Sequence, residues 1–472
     1  MGKFSCKYHL SEILLLLVVI LFHFSSQSTS CGSIVKYLPG FLGPLPFVLE
    51  TGYIGVGEIE DVQLFYYFIE SQNNPRNDPL MLWLTGGPGC SALSGLVFEI
   101  GPLGFQTQEF NGSLPNLVLR PNSWTKISSI IFLDLPAGTG FSYSETPEQG
   151  DWKTIHHSQQ FLRKWLIDHP EFQTNKLYIG GDSYSGIPLP VIVDEISNGN
   201  EAGVQPRINL QGYLLGNPLT IMPSQINYRI PFAHGMGLIS DELYESLQTN
   251  CRGEYTNIDP KNSNCIRDME SFQECTSAIN IAHILEPNCE FHLQKPSHLS
   301  VPSFTHKKSR AVLESHLSVP SSLSCRTYGY LLSAQWANNP DVRKALGVRE
   351  GSIGMGKWKR CNYGMDYKNE ISTSLEYHKN LSRKGYRSLI YSGDHDLMVP
   401  FLDTQAWIRS LNYSIVDDWR PWFTNGQVAG YTRSYSNQMT FATVKGGGHT
   451  APEYRPEECF AMISRWMSNL PL

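Results

Sequence analysis

Apolar and polar residues alternate in blocks between positions 79 and 220, and this pattern predicts a layered α/β fold. Two apolar runs, PLMLWLT (79–85) and SSIIFLDLP (128–136), have the length and composition of buried strands. A helical repeat follows over 152–168, in which the apolar residues return to one face. A third strand at KLYIGG, a helix through Ile196 and a fourth strand at LQGYLLG continue the series. Such alternation favours a parallel sheet that is covered by helices on both faces.

The pattern breaks between about residues 225 and 330. Five of the ten cysteines lie between positions 251 and 325, and a tract rich in Ser, Pro and His spans 291–324, which is typical of a loop or a linker. Strand-like runs resume at YRSLIYSG and MTFATVKGG. We therefore predict one α/β domain in two parts, 31–224 and 331–472, which is interrupted over 225–330 by a disulfide-stapled cap insertion.

The first thirty residues have the pattern of a cleaved secretory signal peptide. Lys3 and Lys7 precede an apolar run over 13–24, and the small polar stretch SSQSTSCGS follows it, with cleavage expected between Ser25 and Ser33. The apolar run is too short to cross a bilayer comfortably, which disfavours a membrane anchor. We assign 1–30 to the signal and expect a secretory protein with no stable membrane insertion after cleavage.

Composition and charge narrow the classes of function. The 472 residues carry a net charge of −6 without a prominent Lys/Arg run, so nothing favours nucleic acid as a partner. Loss of Cys6 with the signal leaves nine of the ten cysteines, so at least one thiol stays unpaired in a compartment that permits disulfides. Sequons at Asn111, Asn380 and Asn412 predict N-glycosylation. No grouping of His, Cys and Asp has metal-ligand spacing, and no metal or other cofactor is implied.

A serine lies on a Gly-rich turn between a predicted strand and a predicted helix, in GGDSYSG (180–186). This is the nucleophile-elbow arrangement of α/β-hydrolases, in which the turn lifts the serine oxygen above the sheet. Partners for Ser183 follow in the order Ser, acid, His: Asp394 and Asp396 come after one strand and His449 after the next. His449 would take the serine proton, and an aspartate would orient the imidazole. Spacing does not choose between the two acids.

The glycines of WLTGGPGCS (83–91) are the second candidate element of a catalytic site. Glycines that follow a strand leave backbone N–H groups free to point at a developing oxyanion. We predict an oxyanion hole formed by the N–H groups of Gly87 and of Tyr184, the residue after the serine.

Seven stretches together carry a resemblance to a known family: YLPGFLGPLPFVLETGYIGVGE, WLTGGPGCS, FLDLPAGTGFSYS, GGDSYSG, LLGNP, YSGDHDLMVP and KGGGHTAPEYRP. From about Ile34 to the C-terminus, the chain resembles serine carboxypeptidase-like proteins, and within them the plant branch of glucose-ester-dependent acyltransferases, similar to sinapoylglucose acyltransferases. The resemblance implies an α/β-hydrolase fold with a central, mostly parallel sheet flanked by helices. It also implies the triad Ser183, Asp396 and His449, and so selects the second acid of GDHD.

The resemblance also bears on the substrate-binding residues. Family peptidases hold the terminal carboxylate of a peptide with an Asn in the GGPG motif, a Glu before the nucleophile and a further Glu. The expected substrate-binding residues here are Thr85, Gly86, Asp182 and Glu99; Thr85, Asp182 and Glu99 match the three family positions, and only Glu99 keeps the family residue. This departure implies a weakened carboxylate clamp, and an Asp before the serine resembles the acyltransferase branch.

The expected protein is therefore an acyltransferase of the secretory pathway, vacuolar or extracellular, that uses a 1-O-acyl glucose donor and a hydroxyl-bearing acceptor. Ser183 would attack the donor ester and release glucose, and an acceptor hydroxyl activated by His449 would then take the hydroxycinnamoyl, benzoyl or similar acyl group. A serine-type carboxypeptidase that acts at acidic pH is the alternative. A catalytically silent binding protein is a third interpretation, which the intact triad disfavours.

The family resemblance also implies a set of disulfides, and the polar tract over 291–324 separately predicts a processing site. The expected bridges are Cys90–Cys325, Cys251–Cys265 and Cys275–Cys289, which would leave Cys31, Cys361 and Cys459 unpaired. The basic run over 307–310 is the expected point of proteolysis, because exposed polar loops are cut first. A cut there would leave two chains held by Cys90–Cys325; an intact flexible loop is the alternative.

Overall fold

The structure, a computed structural model, describes residues 32–107, 112–146, 148–289, 325–349, 351 and 356–472. The assigned signal peptide, Cys31, the sequon at Asn111 and the tract over 291–324 with its basic run lie outside the described residues. The expectations for these segments remain predictions, as do the boundaries of the two domain parts and of the cap insertion.

The described residues form sixteen strands. They are β1 (Gly32–Ile34), β2 (Leu49–Val56), β3 (Val62–Ile69), β4 (Leu80–Leu84), β5 (Leu103–Phe105), β6 (Leu117–Leu119), β7 (Ser129–Leu133), β8 (Tyr143–Ser144), β9 (Gln149–Gly150), β10 (Leu177–Asp182), β11 (Leu210–Gly216), β12 (Tyr367–Lys368), β13 (Arg387–Gly393), β14 (Ile415–Thr424), β15 (Gln427–Tyr435) and β16 (Met439–Val444).

Twelve of these strands make one mixed sheet in the described part of the chain. Its six central strands are parallel and lie in the order β7–β4–β10–β11–β13–β16. Antiparallel strands extend both edges, β1–β2–β3 beyond β7 and β15–β14 beyond β16. The predicted α/β-hydrolase fold, with a parallel centre flanked by helices, is confirmed. The central strands all end at the same edge of the sheet, where ligand sites of such folds lie.

Helices cover both faces of this sheet. The helices of the described residues are α1 (Asp151–Asp168), α2 (Pro188–Glu201), α3 (Ser224–Gly235), α4 (Asp241–Cys251), α5 (Ser263–Thr276), α6 (Tyr328–Ala337), α7 (Pro340–Ala345), α8 (Leu375–Arg383), α9 (Phe401–Ser410), α10 (Ala451–Tyr454) and α11 (Pro456–Met467). Within the described ranges, no helix combines the length and the apolar composition that a membrane span requires.

The burial of strand β4 on both of its faces explains why the central strands are continuous apolar runs in the sequence. Leu82 points into one apolar core with α1, α2, α8 and α9, whereas its neighbour Trp83 points into a second core with α6, α7 and α11. Both side chains are fully buried, because successive residues of a strand face opposite sides and both sides are covered here.

Helices α3 to α5 pack around a third apolar core, separate from the two that flank the sheet. Ile230, Leu247 and Phe272 belong to it, and so does Leu397, the residue after Asp396. The disulfide Cys251–Cys265 joins α4 to α5, as predicted from the family. These helices therefore lie against the loop that carries the candidate catalytic acid.

The other two predicted disulfides are wrong. Cys90 pairs with Cys361, and Cys289 pairs with Cys325, while Cys275 is free and exposed. Cys459 is free and buried, as expected. The reason for the first change is a local backbone bridge: the segment around Cys361 pairs antiparallel with Cys90, so these two side chains are neighbours. Cys289 and Cys325 flank the 291–324 tract in the sequence, and the Cys289–Cys325 bridge joins the two described segments on either side of it.

Candidate active site

Ser183 lies at the carboxyl end of β10, on a one-turn 3₁₀ segment over Ser183–Gly186 that leads into α2. Its φ of 55° is in the left-handed region, which is uncommon for a residue with a side chain and marks a strained, functional turn. The turn needs small neighbours: a Cβ on Gly86 would lie 2.6 Å from the Ser183 Cβ. A Cβ on Gly186 would lie 2.1 Å from the carbonyl oxygen of Leu219.

The three predicted triad residues are in hydrogen-bond contact. The Nε2 atom of His449 lies 2.8 Å from Ser183 Oγ, and its Nδ1 atom lies 2.8 Å from Asp396 Oδ2. Burial by itself lowers the pKa of His449, but the charge of Asp396 and the hydrogen bond to it raise this pKa to a net value above the usual range. The arrangement allows His449 to accept the serine proton and stabilises the resulting imidazolium.

Asp394, the other acid of GDHD, has a different set of contacts. Its Oδ1 atom lies 2.5 Å from Nδ1 of His395 and accepts the N–H of Gly446 at 2.7 Å. The tertiary contacts thus separate the two acids that spacing left open.

Asn217, the Asn of LLGNP, is a supporting residue for which the sequence predicts no role. Its side-chain Nδ2 donates to Asp396 Oδ2 at 2.8 Å, and its Oδ1 accepts the N–H of Gly393 at 3.1 Å. The N–H of Met398 donates to the other oxygen of Asp396 at 2.7 Å. Asn217 and Asp396 are fully buried, so these donors stabilise a carboxylate that has no access to water.

The segment over 281–284, which precedes Cys289, holds the loops of the acid and the histidine. The carbonyl oxygen of Ala282 accepts the N–H of His449 at 2.7 Å. The N–H of Leu397 donates to Ile281 at 3.0 Å, and the N–H of Ile284 donates to His395 at 3.1 Å. Residues from the predicted cap insertion therefore fix the backbone of the catalytic loops.

The two predicted oxyanion donors are Gly87 in the Gly-rich loop and Tyr184 in the nucleophile turn. Among the described residues, neither the N–H of Gly87 nor that of Tyr184 donates to a protein acceptor, so both are available to a substrate oxygen. The N–H of Gly86 differs, because it donates to Asp182 Oδ1 at 2.9 Å. This bond attaches the Gly-rich loop to the residue before the nucleophile.

Asp134 holds the same Gly-rich loop from its other end. This fully buried carboxylate accepts Ser91 Oγ at 2.7 Å, the N–H of Ala92 at 2.8 Å and the N–H of Phe141 at 2.9 Å. Burial raises the pKa of Asp134 to about 6, although these hydrogen bonds lower it. The Cys90–Cys361 disulfide is a third attachment of the loop.

The predicted substrate-binding residues form a buried acidic group beside the triad. Glu99 and Asp182 are 3% and 4% exposed, so their carboxyl groups are withdrawn from solvent. Burial, and then the negative charges of Asp182 and Glu453, raise the pKa of Glu99 well above its usual range, and burial also raises the pKa of Asp182. Within the described residues, Thr85 Oγ1 and Glu99 Oε2 are buried without a hydrogen-bond partner. These polar atoms are therefore available to a ligand.

A family model described as "Serine carboxypeptidase" matches residues 39–469. The chain belongs to the serine carboxypeptidase family. Serine carboxypeptidase-like 7 of Arabidopsis thaliana is 53% identical over 470 residues, which cover 98% of this chain and 99% of the relative. Serine carboxypeptidase-like 10 of the same plant is 54% identical over 465 residues, with 98% and 99% covered.

A solved structure supports the fold of this serine carboxypeptidase family member. The crystal structure of a prohormone-processing carboxypeptidase from Saccharomyces cerevisiae matches with a TM-score of 0.72 and 20% identity, over 94% of this chain and 96% of that chain. At this identity the likeness shows the fold alone. As a member of this family the protein is an enzyme, and the chemistry of the family uses a Ser-Asp-His triad.

Arg360 is a half-buried cation near the acidic group, and it lies outside the sequence motifs that carry the family resemblance. Its guanidinium lies 3.8 Å from the ring centroid of Tyr330, whose hydroxyl is 3.0 Å from both carboxylate oxygens of Glu453. Its positive charge lowers the pKa of Glu99 and of Asp182, opposing the larger effect of burial. No local sequence signal could have found it, because Arg360 reaches the site only through the packing of its segment on the Gly-rich loop.

Proposed function

We propose that the protein is a serine carboxypeptidase-like acyltransferase. It moves a hydroxycinnamoyl, benzoyl or similar acyl group from a 1-O-acyl glucose ester to an acceptor hydroxyl, through an acyl-enzyme on Ser183. The observation that carries the proposal is the altered carboxylate clamp. Thr85 lies where family peptidases have Asn, and the shorter acid Asp182 lies where they have Glu and accepts the N–H of Gly86 with one of its oxygens.

The clamp residues suit hydroxyl groups better than a carboxylate. A bound peptide carboxylate would face two buried carboxyl groups and would need at least one of them protonated. A sugar hydroxyl both donates and accepts, so it can donate to an ionised Asp182 and accept from a protonated Glu99 or from Thr85. A neutral polyol such as glucose therefore matches this set of donors and acceptors without requiring acidic pH.

The contacts of Ser183 support an acyl-enzyme mechanism. His449 would remove the Ser183 proton as Oγ attacks the ester carbonyl, and the N–H groups of Gly87 and Tyr184 would receive the oxyanion. Collapse of the intermediate breaks the bond to the glucose oxygen, which takes its proton from His449. An acceptor hydroxyl then gives its proton to His449 and attacks the acyl carbonyl; the bond between the acyl carbon and Ser183 Oγ breaks, and Oγ takes that proton back from His449.

A carboxypeptidase is the second candidate, and one observation favours it. The raised pKa of Glu99 would keep this acid protonated at acidic pH, and the nearby positive charge of Arg360 would also attract a substrate carboxylate.

We place either enzyme in the secretory pathway, in the vacuole or outside the cell. Of the two described sequons, Asn412 is exposed and Asn380 is half-buried on α8.

One assay separates these candidates. The purified mature protein is incubated with a panel of 1-O-acyl glucoses and mixed hydroxyl acceptors, and in parallel with blocked dipeptides that have a free C-terminus, with Ser183→Ala as the control. We expect acyl esters of the acceptors and free glucose from the wild type, and no products from the control. Efficient cleavage of the dipeptides without turnover of any acyl glucose would contradict the proposal and favour the carboxypeptidase.

A further inference from the structure

Tyr184, the residue after the nucleophile, sends its side chain into a buried polar network on the far side of the turn. Its hydroxyl donates to Asp151 Oδ1 at 2.8 Å, and it also lies 2.8 Å from Oδ1 of Asn369. The side chain is 5% exposed, and burial raises the pKa of the Tyr184 hydroxyl, which therefore remains a donor. The reaction described above uses only the backbone N–H of this residue and leaves the hydroxyl network without a role.

Asp151 is the centre of this network. Besides Tyr184, its carboxylate accepts the hydroxyl of Tyr367 at 2.8 Å and the N–H groups of Glu370 at 2.7 Å and Ile371 at 2.9 Å. It is fully buried and lies in the first turn of α1, where the helix dipole stabilises a negative charge. A buried carboxylate with four donors from two separate segments is a fixed point of the structure, because each donor compensates part of its lost hydration.

The other contacts of the turn hold its remaining residues. The N–H of Leu219 donates to the carbonyl of Ser183 at 2.9 Å, and Ser374 Oγ donates to the carbonyl of Gly186 at 2.6 Å. The N–H of Tyr184 itself has no protein acceptor in the described chain. Its direction is therefore set by the strained backbone of the turn, in which the carbonyl of Tyr184 accepts the N–H of Ile187 at 2.9 Å, and by the anchored side chain of Tyr184.

We propose that Asp151 is a positioning residue for acylation: through the Tyr184 hydroxyl, it fixes the direction of the Tyr184 N–H toward the oxyanion. The oxyanion exists only after Ser183 attacks, so a displaced donor slows the acylation step and leaves ground-state binding unchanged. The inference rests on the acylation of Ser183 in the proposed function and is independent of the group that later accepts the acyl chain.

The test measures the reaction of Ser183 with a fluorophosphonate, in which the serine oxygen bonds to phosphorus, fluoride leaves and the serine proton passes to His449. Rates at several reagent concentrations separate the maximal rate constant from the half-saturating concentration. The variants are Tyr184→Phe and Asp151→Asn; Tyr184→Phe keeps the ring and removes only the hydroxyl. Tyr367→Phe is the matched control, because it removes a hydrogen bond of the same length to the same Asp151 oxygen from outside the nucleophile turn.

We expect Tyr184→Phe and Asp151→Asn to lower the maximal rate constant roughly 10- to 100-fold, with the half-saturating concentration unchanged, because these variants displace a donor whose complete removal costs about 10²- to 10³-fold. Tyr367→Phe should stay within about threefold of wild type, since the bond from Tyr184 remains. Thermal unfolding verifies that each variant is folded. If Asp151→Asn is not folded, the rate constant of Tyr184→Phe alone tests the inference.

Three results overturn the inference. A wild-type rate constant in folded Tyr184→Phe, or an equal loss in Tyr367→Phe, would overturn it alone and leave the proposed function intact. A wild-type protein that the reagent does not label at Ser183 would overturn the proposed function together with it.

Discussion

Replacing Asn217 by Leu tests whether this buried amide maintains the catalytic acid. Leu has nearly the shape of Asn but lacks its donor, so the substitution removes the 2.8 Å bond to Asp396 Oδ2. A hydrogen bond to a charged group contributes about 1.5–3 kcal/mol, and at 1.36 kcal/mol per tenfold its loss in the transition state lowers kcat/KM roughly 10- to 150-fold. The same change leaves the buried N–H of Gly393 without its acceptor, which costs about 1–3 kcal/mol of folding stability.

The assay is kcat/KM on an acyl ester substrate, measured beside urea unfolding. Asn175→Leu is the matched control: Asn175 is also buried, and its amide donates to the carbonyls of Pro75 and Asp78, both at 2.8 Å. It precedes β10 at the sheet edge opposite the triad. We expect both variants to lose stability but only Asn217→Leu to lose activity. Wild-type kcat/KM in a folded Asn217→Leu protein would show that Asp396 does not depend on this amide.

Three further predictions concern the triad, the clamp and acid stability. Ser183→Ala and His449→Ala should each lower turnover by about 10⁴-fold or more, with the double variant little worse than either, because the residues act as one unit; additive losses in steady-state assays would contradict this. Thr85→Asn combined with Asp182→Glu should make free amino acids inhibit near pH 5, through hydrogen bonds to charge worth about 1.5–3 kcal/mol each; unchanged inhibition constants would argue against the clamp. Burial lowers the pKa of His378 from 6.5 to about 3, so the unfolded chain binds the extra proton and stability is lost as pH falls below 6.5. By pH 4.5 the contribution of His378 to the free energy of unfolding has fallen by about 2–3 kcal/mol. Urea titrations at pH 6.5 and pH 4.5 should show this decrease in the wild type and lack it in His378→Gln.

Local sequence determined the elements that place the nucleophile. The apolar runs of β4, β7, β10, β11, β13 and β16 specify central strands, because burial on both faces requires continuous apolar residues. The strand, Gly-rich turn and helix around Ser183 likewise follow from short-range sterics, since only small residues fit at Gly86 and Gly186. Strand β14 was not predicted: it lies at the sheet edge, and its mixture of exposed and half-buried residues has no apolar period.

Tertiary structure decided the contacts between segments that are distant in the chain. Asp396 rather than Asp394 reaches His449, and Cys361 rather than Cys325 reaches Cys90, because each pairing depends on how whole loops pack. Among the supporting groups of the site, Asp151 and Arg360 lie in no sequence motif, and Asn217 lies in LLGNP, where nothing local indicates its role. A periodic pattern predicts which face of its own element is buried, whereas a single polar residue gains its partner only when remote elements fold against it. The sequence therefore predicted the positions of the catalytic residues, and the tertiary structure determined which residues support them.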